Sequence, residues 1–125
     1  MKKLLLLIML FVTLPIVADD NVSWFKAFEF AYKVKGYEWS DWSKCSINIK
    51  LDLDNDKVTI YSKEVQIYWV ISEVEAPYDS NGQQVAFKVK DQDGDYGHLR
   101  LRVQSNGVKQ IYIDFSDISW VYSLE

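Results

Sequence analysis

CSINIKLDLDNDKVTIYSKEVQIYWVI, residues 45–71, decides the fold class. Cys45, Ile47, Ile49, Leu51 and Leu53 alternate with Ser46, Asn48, Lys50 and Asp52, so apolar and polar side chains fall on opposite faces. A period of two marks a half-buried β-strand, because successive Cβ atoms of an extended chain point to opposite sides. Val58 and Ile60 resume the pattern after Asn55-Asp56, and Val65, Ile67, Trp69 and Ile71 carry it on.

The same alternation extends in both directions. Trp24, Phe28, Phe30, Tyr32 and Val34 open the series. Val85, Phe87 and Val89, then Leu99, Leu101 and Val103, then Ile111, Ile113 and Phe115 continue it, and Ile118, Trp120 and Tyr122 close it. Eight strands are expected. Helical periodicity is hard to find after residue 24, and Gly and Pro are sparse.

Turn chemistry fixes an expected register, since a slip of one residue turns every side chain to the other face. A two-residue loop at Asn55-Asp56 pairs Leu53 with Val58 and Leu51 with Ile60, and sets Asp54 opposite Lys57. A two-residue loop at Lys63-Glu64 pairs Ile60 with Ile67 and leaves Thr59 and Tyr68 outward. Ser105-Asn106-Gly107 puts glycine where a positive φ is wanted and aligns Leu101 with Ile111. Ser116-Asp117 pairs Phe115 with Ile118 and Ile113 with Trp120. Four short turns that match apolar to apolar predict an all-β domain, an antiparallel meander. Closure into a small calycin-like barrel is the expected architecture, with a β-sandwich as the alternative.

Residues 1–18 stand apart. Met1-Lys2-Lys3 is a short basic segment, Leu4 to Val17 is almost wholly apolar, and Ile16-Val17-Ala18 offers a small-residue cleavage site before Asp19-Asp20. The order is that of a secretory signal peptide, and the apolar run is short for a membrane span. Its removal takes two lysines with it. It leaves 107 residues, 19–125, with twelve basic against eighteen acidic side chains, a net charge of −6. An exported protein, periplasmic or extracellular, is expected, with no integral membrane segment after cleavage. The negative balance argues against nucleic acid as a partner. Cys45 is the only cysteine, so no intrachain disulfide braces the core.

Chemistry-bearing residues are few. Asp91, Asp93 and Asp95 in DQDGDYG have oxygen-rich spacing suited to a hard cation and are weak metal candidates. From Asp91, the twelfth loop position of an EF-hand falls on Arg102, not on an acid. His98, the sole histidine, alternates outward with Arg100 and Arg102. No nucleophile–base pair, metal cluster or Gly-rich phosphate loop emerges, so no enzyme and no cofactor is expected. WSDWS at 39–43 matches a short cytokine-receptor box, and with Cys45 and Ser46 a thrombospondin-repeat signature. The first falls too early in the chain and the second needs several disulfides. The tryptophans read instead as a cover for one open end of the barrel. The outward side chains of VQIYWVI carry the functional expectation: Tyr68 and Val70, with Tyr61 on the paired strand, form an aromatic patch for an unknown protein partner or surface.

IYSKEVQIY, DQDGDYG, LRLRVQSNGVKQIY and SWVY together resemble a group of small secreted all-β proteins of Bacteroidota-type bacteria and their phages, mostly uncharacterised. That resemblance covers most of the mature chain and implies no catalytic activity. Calycins are similar by architecture alone, because the lipocalin Gly-x-Trp signature is missing. Two roles follow: an exported interaction module with an outer aromatic face, or a carrier with an apolar cavity. The bulky side chains expected inward, Trp24, Phe28, Phe30, Trp69, Phe87, Phe115 and Trp120, favour the first by filling the interior.

Overall fold

The computed structural model describes residues 22–52, 54–76 and 80–125. The proposed signal peptide, Leu53 and Pro77 lie outside the described residues. Eight strands follow one another: β1 (Val22–Val34), β2 (Ser43–Asp52), β3 (Lys57–Ile60), β4 (Gln66–Val74), β5 (Gly82–Lys90), β6 (Tyr96–Gln104), β7 (Lys109–Asp114) and β8 (Ile118–Leu124). Each pairs antiparallel with the next, and β1 pairs with β8, so the sheet closes into a barrel in chain order. A closed ring leaves no unpaired strand edge.

The interior is filled by the alternation of β2, β3, β5, β6 and β7. Ile49, Leu51, Val58, Ile60, Phe87, Val89, Leu99, Leu101, Ile111 and Ile113 are wholly buried in one cluster, with Cys45, Phe115 and Trp120 packed against it. The last two hairpins have the expected register, Leu101 with Ile111 and Ile113 with Trp120. Gly107 takes a φ of 90° as its turn requires. In the β2–β3 hairpin Leu51 pairs with Val58 and Asp52 with Lys57, with Asp54, Asn55 and Asp56 in the turn. That is two residues off the expected register, and an even slip keeps every face correct. Asn55 holds this longer turn by donating from Nδ2 to Asp52 Oδ2 at 2.9 Å.

The β3–β4 hairpin differs by an odd number. Ile60 pairs with Gln66 and Thr59 with Ile67, so the turn spans five residues instead of two. The faces of β4 are therefore reversed from expectation. Tyr68 and Val70 are buried, at 3% and 4% exposure, while Val65, Trp69 and Ile71 face solvent. The physical reason lies in Gln66. Turned inward, its amide is satisfied on both ends: the Tyr68 hydroxyl donates to Oε1, and Nε2 donates to Ser62 Oγ and to the Tyr122 hydroxyl. A polar residue in a core position survives because three partners converge on it.

β1 carries a second departure. A bulge between Ala27 and Glu29 shifts its pairing with both β2 and β8. Before it Ser23 and Ala27 are buried and Phe25 packs on the core; after it Phe30 takes the inward position, its ring 6.3 Å from that of Tyr122. Trp24, Phe28, Tyr32 and Val34, expected inside, are exposed. The extra residue inverts the parity of β1 ahead of it and so turns Trp24 out, whereas Tyr32 and Val34 keep the parity of Phe30 and are exposed towards the end of the strand.

Candidate functional site

These two departures together build an aromatic outer wall. Trp24 on β1 lies in a row with Lys50 and Thr59 on β2 and β3 and Ile67 on β4. Tyr61, whose N–H donates to the Asn48 carbonyl at 2.9 Å, continues β3 beyond its last ladder pair. The rings of Trp24 and Tyr61 stack at 5.7 Å, reaching toward each other over β2, and Lys50 Nζ stands 5.9 Å from the Trp24 ring. Next in register is a row of Asp52, Lys57, Trp69, Lys90 and Tyr96 on β2 to β6. Lys88 and Lys90 place their ammonium groups 4.6 and 5.8 Å from the Tyr96 ring. Ile71 occupies the irregularity between Val70 and Ser72 and adds an exposed aliphatic side chain.

Of the three residues expected to form the patch, only Tyr61 is on this wall. Tyr68 sits inside against Phe115, with ring centroids 6.3 Å apart. Burial, then the neighbouring Tyr122 and Asp91, hold its phenol well above the ordinary value. The residues that replace Tyr68 and Val70 outside are Trp24, Trp69 and Ile71.

The WSDWS segment is placed differently from expectation. Ser40 clips it to β1, its N–H donating to the Tyr32 carbonyl at 2.8 Å and its Oγ accepting from Tyr32 N–H at 2.9 Å. Trp39 then meets Tyr112 on β7 edge-on at 6.1 Å. Ala31 and Val121 lie in the same outer row as Tyr112 and are buried although they are not part of the interior cluster. Trp39 thus roofs the outer wall of β1, β8 and β7. Arg100 stands over the Tyr112 ring at 4.3 Å and pairs bidentately with Asp114, at 2.6 and 3.2 Å.

Asp91 Oδ1 accepts from the N–H groups of Asp93 and Asp95 at 3.0 and 2.9 Å, so its carboxylate closes the β5–β6 turn. Among the described residues no group of three acidic, histidine or cysteine side chains is arranged to hold a metal ion. His98 is exposed opposite Asp114, and Arg102 is buried on the outer wall. Cys45 packs on the core with Sγ 3.7 Å from the Ala27 carbonyl. A mouth pocket of about 380 Å³ opens between the β3–β4 and β5–β6 turns, lined by Lys63, Glu64, Gln66, Tyr68, Asp91 and Trp120 among others. Comparison with protein-family models, with curated proteins and with solved structures finds no match to this chain.

Proposed function

We propose that the protein is an exported, non-enzymatic interaction module that binds a partner or surface through its outer aromatic wall. What carries the reading is the set of large apolar side chains left in solvent on neighbouring strands: Trp24, Tyr61, Trp69 and Ile71. Rings of this size supply large contact area at small entropic cost, and they are the residues in which binding energy concentrates. Left in water without a partner they bring no stability, whereas the interior already has its own aromatic complement.

The runner-up role, a carrier of a small apolar ligand, has less support. The inward side chains of five strands are wholly buried against one another. The mouth pocket is bounded by Lys63, Glu64, Asp91 and Asp93, a lining that suits a polar molecule better than an apolar one.

Pull-down from the native extract tests the reading with Trp24→Ala, Trp69→Ala and the double variant beside the wild-type protein. Capture should fall in each single variant and vanish in the double one while all remain folded by circular dichroism. Undiminished capture by the folded double variant would place the binding surface elsewhere.

A further inference from the structure

Charge on the outer wall runs against charge on the whole chain. The protein carries a net charge of −4. Yet the row through Trp69 reads Lys57, Trp69, Lys90, Tyr96 from β3 to β6, with an ammonium on either side of one ring and next to the other. Lys50 in the row beside it and Lys88 across from Ser72 and His98 bring the total on this wall to four lysines. The carboxylate in the row, Asp52, is buried and accepts a hydrogen bond from Asn55. Asp54 and Asp56 lie in the β2–β3 turn beside Lys57, and Asp91, Asp93 and Asp95 lie in the β5–β6 turn between Lys90 and Tyr96.

Strands stand ~4.8 Å apart, so Trp69 and Tyr96, two strands from each other, are separated by about 10 Å along the row. Positive charge and aromatic face therefore alternate along a line that crosses the strands. A partner that satisfies both must itself be linear, negatively charged and built of units with apolar faces. A peptide has no route in by strand addition, because the ring leaves no free edge. A helix would need a continuous apolar groove, and here every ring is flanked by an ammonium. A pyranose chain meets both demands, since its C–H faces stack on indole and phenol rings while uronate carboxylates pair with lysines.

We infer that this wall binds a linear anionic glycan: Trp69 and Tyr96 stack on sugar rings, and Lys57, Lys88 and Lys90 pair with its carboxylates. The inference rests on the proposed role of the outer wall and names the chemical class of its partner. Nucleic acid, the other polyanion that uses aromatic stacking, meets the same repulsion from the rest of the molecule and is the outcome that the poly(dT) gel separates.

Affinity electrophoresis of the folded protein in native gels tests it, with polygalacturonate, a neutral glucan or poly(dT) as the embedded polymer. Retardation is expected in polygalacturonate alone, and raising the ionic strength should diminish it. Lys88→Ala combined with Lys90→Ala should weaken binding about thirtyfold, two exposed ion pairs at the upper end of their range. Both sites are on the surface, so thermal melts of this variant should overlay the wild type. Equal retardation by the neutral glucan overturns the role given to charge, and retardation by poly(dT) alone overturns the glycan. Migration unchanged in all three gels overturns the inference outright. The proposed role of the wall fails separately, by undiminished capture in the Trp24 and Trp69 variants.

Discussion

Replacing Tyr68 with Ser should cost far more stability than replacing its neighbour Trp69 with Ser, although tryptophan is the larger residue. Tyr68 is 3% exposed, packs on Phe115 and donates its hydroxyl to Gln66. Truncating a buried aromatic ring costs about 3–5 kcal/mol, because the transfer energy of the ring is lost and a cavity is left. The lost donor leaves Gln66 Oε1 facing the mouth pocket, where water can replace it, so little is added. Trp69 keeps 37% of its surface in solvent, rests on strand neighbours and has no buried polar contact. Its loss should cost about 1–2 kcal/mol, the part of its ring area that the wall covers. A domain of this size has on the order of 5–15 kcal/mol to lose. Urea denaturation, read by far-ultraviolet circular dichroism, should therefore show a clearly lower midpoint for Tyr68→Ser with an unchanged m-value. Tyr68→Phe should recover all but about 1 kcal/mol of it. Equal losses at the two positions, or a larger one at Trp69, would mean that β4 presents the opposite face and that the five-residue turn is wrong.

Three further outcomes follow from the same packing. A Cβ at Gly97 would stand 2.7 Å from the Asp114 carbonyl and 2.9 Å from the Phe115 ring, so Gly97→Ala should destabilise by about 1–3 kcal/mol; an unchanged melt would refute the close approach. Burial raises the Tyr68 and Tyr122 phenols above the ordinary value of 10.0, so both stay protonated at a pH where a free phenol would ionise. The unfolded chain gives up those protons first, so the stability they contribute is intact below about pH 10 and falls as pH rises beyond it. Phenolate absorbance should show a late phase that coincides with unfolding, and a single phase at the ordinary value would contradict it. Burial and then Glu29 push the Cys45 thiol upward, so iodoacetamide should label it much more slowly than a free thiol at neutral pH; a rate matching the free thiol would put Cys45 outside the core.

How far the sequence carried depended on whether a strand kept its parity. β5 to β8 alternate without interruption, and there the expected faces, and from β6 to β8 the expected pairings, are those observed. The β2–β3 turn is longer than expected by an even number, which moves partners without moving faces. In β1 and β4 the alternation is intact on paper but its phase is set elsewhere. For β1 it is set by a bulge at Phe28, and for β4 by a glutamine whose partners come from Ser62, six residues before Tyr68, and from Tyr122 on the last strand. A phase that depends on a contact across the barrel cannot be read from the strand itself. The candidate site inherited that error. Tyr61 was legible because it adjoins a correctly phased strand, while Trp24 and Trp69 were assigned inward with the strands that carry them.

Ring closure has a consequence for when this molecule can fold. β1 is hydrogen-bonded to β8 from Ala27–Leu124 to Val34–Ile118, so the two ends of the described chain are direct neighbours. Hairpins such as β6–β7 can form as soon as they are made, but the seam cannot be sewn until Ile118–Leu124 is free to reach β1. Contacts this distant in sequence are slow to form, since the whole intervening loop must be closed first. Until then both β1 and β7 present open edges of the kind that recruit other strands. An emerging chain that cannot finish its fold stays threadable, which is what passage across a membrane before folding demands. The same seam sets the penalty for truncation: removing β8 would leave an unclosed sheet with two adhesive borders, and never a smaller stable barrel.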